Sequence, residues 1–122
     1  MILIRTNLDK KTGLGHYIRM VRLAKEMSLL KKVKLVFVLD KPNYEFESKE
    51  FNHHYLYKSS LYKNEKDDSK KIKNLIKKLK VKTVVVDDYR LGLKWETSIK
   101  NKNVKLVVID DFIFKKHNCD YL

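Results

Sequence analysis

Residues 12–20, TGLGHYIRM, set two of the chain's three glycines two apart with a histidine directly behind them. Glycine lets backbone N–H groups come close to a ligand. A helix beginning near Gly15 turns its unpaired N–H groups and positive dipole end to the same point. Together Gly13, Leu14 and Gly15 form the kind of loop that cradles a phosphate. His16 stands in the first turn, where the positive potential disfavours imidazolium. A neutral ring there suits it to accept a proton from water or a sugar hydroxyl. The plainer role for the same residue is a polar helix cap. The loop does not match the dinucleotide fingerprint G-x-G-x-x-G, because Ile18 stands where the third glycine belongs and residues 7–12 are too long for the tight turn. Asp40 has the residue type of a ribose ligand but is the only support for that reading.

Two aspartate pairs, Asp87-Asp88 and Asp110-Asp111, follow apolar runs. Paired carboxylates suit glycosidase-type acid and base work or a Mg²⁺ site. Strand-end aspartates also cap the next loop or helix, the role expected for at least three of the four. His53, His54, His117 and Cys119 fit no standard zinc spacing. His53 and His54 would point to opposite faces of a strand. No metal or cofactor is expected. Trp95 and Ile99 form an i, i+4 pair suited to a core, and Cys119 reads as a small buried hydrophobe.

Segments that must position these residues alternate along the chain. The runs 2–6, 33–39, 82–88 and 105–111 are apolar with little alternation, as in strands buried on both faces, and 53–58 suggests a shorter strand. Residues 16–32 have helical period with Tyr17, Met20, Val21, Ala24 and Met27 on one face. Residues 68–80 repeat it with Ile72, Leu75, Ile76 and Leu79, capped by Asp68 or Ser69. A weaker helix covers 93–102. Strands alternating with helices predict an α/β, Rossmann-like, mostly parallel sheet with helices on both faces. The length of 122 residues is that of a single domain, residues 1–122. The last residues, HNCDYL, read as a short closing strand or as the point where a further strand or domain should follow.

The formal net charge is +13, yet only four of the 28 basic residues are arginine. Nucleic-acid readers lean on arginine for bidentate contacts, so nucleic acid is not the expected partner, and the lysines read as a solvated face. No apolar run has the length a bilayer requires, so no membrane partner is expected. The single cysteine suits a reducing cytoplasm.

Three stretches together carry a family resemblance. Arg5-Thr6-Asn7 followed by Gly13-Leu14-Gly15-His16, Arg19 and Leu23-Ala24 is similar to the opening of the UDP-2,4-diacetamido-2,4,6-trideoxy-β-L-altropyranose hydrolases of the pseudaminic acid pathway, and of the related spore-coat polysaccharide proteins. Residues 84–91, VVVDDYRL, resemble that family's strand ending in Asp-x-Tyr. Residues 107–122 resemble its Asp-Asp strand leading to His-x-Cys-Asp. Asn7 departs from the usual aspartate. The resemblance spans nearly the whole chain but only the family's N-terminal half. It implies the first half of a GT-B-like, two-domain enzyme, with a C-terminal nucleotide-binding domain as partner and a UDP-linked amino sugar as substrate. The implied reaction is metal-free hydrolysis, with inversion, of the bond between the anomeric carbon and UDP. The resemblance makes His16 the base and gives Tyr89 a catalytic role in orienting sugar or water. Arg5, Gly13, Leu14, Gly15, Arg19 and Asp88 fall on the substrate side, with a buttressing ion pair as the other role for Arg5. The acceptor domain of a GT-B glycosyltransferase carries a similar loop. A non-catalytic basic module binding nucleic acid or anionic polymer is the third class.

Overall fold

The computed structural model describes residues 1–8, 14–110 and 117–121. Gly13 and Asp111 lie outside these residues. Among them the chain runs β1 (Ile2–Thr6), α1 (Gly15–Leu30), β2 (Leu35–Leu39), β3 (Asn52–Tyr55), α2 (Glu65–Leu79), β4 (Thr83–Asp87), α3 (Leu93–Ile99) and β5 (Lys105–Val108). The strands form a single parallel sheet in the order β3-β2-β1-β4-β5. This is a Rossmann-like α/β fold. The chain first winds outward through β2 and β3, then returns to the other side of β1 for β4 and β5. The order therefore reverses between β1 and β4, and the carboxyl ends of these two strands flank the switch point.

Burial follows from the strand sequences. β2 is LVFVL and buried throughout, and β1 and β4 are nearly so, as central parallel strands require. Ile4, Phe37 and Val85 face α1, where they meet Tyr17, Met20 and Ala24. The alternate residues Leu3, Val36, Val84 and Leu106 face the other way, onto Ile72 of α2 and Trp95 and Ile99 of α3. Helices thus cover both faces, and Trp95 and Ile99 are core residues as their spacing suggests.

Several boundaries differ from the sequence reading. α2 begins at Glu65, before its apolar period is visible. Its cap is Asn64, whose Oδ1 accepts from Asp67 N–H at 2.9 Å. Asp68 is therefore not the cap but a fully buried residue of the first turn. α3 ends at Ile99, and its cap Lys100 turns to extended backbone. β3 stops at Tyr55, although Leu56 and Tyr57 still donate to Leu39 and Asp40 carbonyls. Cys119 is partly buried against the core. Tyr121 forms a one-residue parallel bridge with Val107. No helix among the described residues is long and apolar enough to cross a membrane.

Candidate active site

The switch point brings His16 and Asp87 together across 71 positions of sequence. β1 and β4 pair so that Thr6 lies opposite Asp87, and the Thr6 hydroxyl donates to the Asp87 carbonyl at 3.0 Å. Asp87 is thereby held as the last residue of β4, its side chain fully buried. α1 enters from the neighbouring strand and sets the His16 ring over it. His16 Nδ1 is 2.7 Å from Asp87 Oδ1. An ionised carboxylate can only accept, so Nδ1 carries the proton and the lone pair of a neutral ring falls on Nε2. One turn further along α1, Arg19 grips both oxygens of the same carboxylate, Nε to Oδ2 at 2.9 Å and Nη2 to Oδ1 at 2.8 Å. That fork fixes the carboxylate plane and balances its charge. Tyr89 completes the arrangement. Its ring meets His16 edge to face at 4.4 Å between centroids, with about half its surface exposed.

These groups border a depression of about 40 Å³ lined by Asn7, His16, Asp87, Asp88, Tyr89 and Arg90. A water takes about 30 Å³ of liquid volume, so the depression is on the scale of one small molecule. The N-cap residue of α1, Leu14, makes no side-chain cap, and the His16 ring is turned to Asp87. Leu14 is the N-cap, and its carbonyl accepts from Ile18 N–H. A Cβ built on Gly15 would meet nothing within 4 Å. Among the described residues, packing does not demand glycine there.

Behind this surface lies a buried chain of alternating charge. Arg5 is wholly buried, so it does not face a substrate; its role is the buttressing one. Its Nε and Nη2 reach the two oxygens of Asp68 at 3.2 and 2.7 Å, and Nη2 also meets Asp40 at 2.7 Å. Nη1 donates to the Thr6 and Val38 carbonyls, tying the ends of β1 and β2 together. Asp68 accepts in addition from the Tyr57 hydroxyl at 2.8 Å and Trp95 Nε1 at 2.9 Å. Asp40 is in turn gripped by Arg90 at 2.7 and 2.8 Å, which leaves it engaged by two guanidiniums rather than offered to a ribose. Burial alone would raise the Asp40 pKa, but hydrogen bonds and charge from Arg90 and Arg5 more than reverse this and hold it below the ordinary carboxylate value. Burial works against the Arg90 charge, yet Asp40 and Asp88 outweigh it and raise its pKa.

Asp88 lies at the site but is turned into its own loop. It accepts from Arg90 Nη2 at 2.7 Å and from Arg90 N–H at 3.0 Å. That turn sets the direction in which Tyr89 leaves β4.

A second histidine is held at the same sheet edge. His117 Nδ1 is 2.6 Å from Glu96 Oε2, and Nε2 contacts Asp110 Oδ2. Asp110 therefore pairs with His117. Among the described residues, no group of three or more His, Cys, Asp or Glu is placed to hold a metal ion. His53 stacks on Phe37 at 5.3 Å and takes the Tyr17 hydroxyl at 2.8 Å, remote from Cys119.

Sequence reasoning placed His16 and Tyr89 at one edge but missed Asp87 as the partner of His16, and the Glu96–His117–Asp110 cluster. Arg19 came from the family resemblance alone, and position i+3 places it on the face of His16. Asp87 required knowing that β4 lies beside β1. No family model matches the chain and no curated protein matches it.

Proposed function

We propose that this chain supplies the water-activating half of a UDP-sugar hydrolase that cleaves a UDP-linked amino sugar of surface-polysaccharide biosynthesis, in a GT-B-like cleft completed by a nucleotide-binding domain. The supporting observation is the His16–Asp87 contact at the switch point, with Nε2 left as the free lone pair. Water attacks the anomeric carbon and its proton passes to His16 Nε2. The bond from that carbon to the UDP oxygen breaks, and its electron pair leaves with UDP. Asp87 orients the ring and stabilises the imidazolium that forms. Arg19 keeps the carboxylate in place. The N-terminal turn of α1 is suited to the departing pyrophosphate. Tyr89 borders the position of the water.

The test is turnover of UDP-linked amino sugars by the full-length protein in ¹⁸O-labelled water. Label in the released sugar, with none in UDP, is the expected result. Label in UDP would mean attack at phosphorus. Release of UDP only when a second sugar is added would mean a transferase.

A further inference from the structure

At the amino edge of the sheet, opposite the candidate site, a groove of about 580 Å³ opens between α2 and the turn leading into β5. Its apolar floor is the partly buried Ile76 over the nearly buried Val81, Ile99 and Val104. Its charged part is Lys70, Lys73, Lys77, Lys80 and Lys82. Four of these lysines recur at i, i+3, i+7 and i+10 along α2 and its cap, a ridge about 15 Å long at 1.5 Å per residue. Exposed helical lysines are steadied by acids three or four positions away, and like charges at that spacing destabilise the helix. α2 keeps its acids Glu65, Asp67 and Asp68 in the first turn, so that of the groove lysines on α2 and its cap only Lys70 has an acid, Asp67, three or four positions away. Among the described residues no carboxylate lines the groove. Lysines in a last turn complement the negative end of the helix dipole, but that end amounts to about half a charge, far less than five ammonium groups.

We propose that this groove is a binding site for a small organic oligophosphate, with the phosphates along the lysine ridge and the body of the molecule on the apolar floor. The volume lies within the roughly 300–1,000 Å³ of small-molecule sites. Ammonium groups are point charges that accept phosphate from many directions, which suits a row of phosphate oxygens. Amides of Asn74, Asn101 and Asn103 add donors and acceptors at the rim. Among the described residues, neither arginine nor an aromatic ring lines the groove, and these are the side chains on which the bases of single strands stack. A discrete ligand is therefore favoured over nucleic acid. The site is independent of the reaction proposed at the carboxyl edge.

The experiment is a two-dimensional amide NMR titration of the chain at low salt with ATP, with tripolyphosphate and an oligo-dT strand as further arms. Saturable shifts confined to residues 70–82 and 99–104 are expected with ATP, and tripolyphosphate should compete for them. The double variant Lys73→Gln/Lys77→Gln should weaken ATP binding about tenfold, with its melting temperature unchanged or raised, since a like-charge i, i+4 pair is removed. Shifts spread over lysines elsewhere without saturation would overturn the proposal. So would wild-type affinity in the double variant, or oligo-dT binding the groove more tightly than ATP.

Discussion

Replacing His117 by alanine tests whether a buried cation holds the end of the described chain against the sheet. The ring is nearly enclosed and bridges Glu96, fully buried on α3, to Asp110, just beyond β5. Both ring nitrogens meet carboxylates, so both donate and the ring is an imidazolium. Removing it takes the imidazolium from between the two carboxylates. Breaking a buried pair in this way costs about 3–5 kcal/mol. Glu96 keeps the Asn118 N–H at 2.7 Å, which argues for the lower end. A loss of about 3 kcal/mol in a domain of this size corresponds to a fall in Tm of about 12 °C. The loss is pH-dependent. Burial opposes the His117 charge, but hydrogen bonds and charge from Glu96 and Asp110 outweigh it and raise the folded pKa above 6.5. The stabilisation is thus complete below the unfolded value near 6.5 and is lost as pH rises through the folded one. Thermal melts of wild type and His117→Ala by circular dichroism, from pH 5.5 to 9, should converge as pH rises. A variant melting within about 2 °C of wild type at pH 6, or curves parallel across the range, would refute the bridging role.

Further outcomes follow from the same contacts. Arg5→Met should cost about 3–5 kcal/mol by stranding Asp68, whereas the exposed Arg22→Met should change stability by less than about 0.5 kcal/mol; equal effects in urea melts would remove Arg5 from its buttressing role. Lys80 caps α2 with φ 56°, so Lys80→Gly should stabilise the chain by up to about 1 kcal/mol, and a loss of that size would contradict the left-handed cap. Asp87→Asn in the full-length enzyme should reduce kcat about 10²–10⁴-fold, since an amide no longer fixes the His16 tautomer; unchanged kcat would separate Asp87 from the chemistry. UDP should bind residues 1–122 only weakly, with Kd about 1 mM by calorimetry, because in the proposed reading the nucleotide-binding domain supplies most contacts to the uridine and ribose. Micromolar affinity would place the nucleotide on this domain.

What was legible in the sequence was what local pattern encodes. Near-continuous apolar runs marked β1, β2, β4 and β5, and the i, i+3, i+4 recurrence marked α1 and the apolar face of α2. The start of α2 was missed because its first turn, Glu65 to Asp68, is polar, and Asn64 caps before any apolar period begins. The buried charges were missed for a different reason. Arg5 meets Asp68 across 63 positions and Asp40 across 35, and both pairings depend on strand order and on which face Arg5 takes. A charged residue inside an apolar strand leaves two readings open, cleft or buttress, and only the packing of α2 against β1 decides between them. His16 and Asp87 were each visible as candidates, but their contact follows from the reversal of strand order at β1.

The most direct measurement is steady-state UDP release from a UDP-linked amino sugar by the full-length protein, comparing wild type with His16→Asn. An amide can hold a water but cannot take its proton. The expected result is a kcat lower by about 10²–10⁴-fold with the melting temperature preserved. Turnover within a few-fold of wild type would contradict the assignment of His16 as the base and leave its contact with Asp87 a structural one.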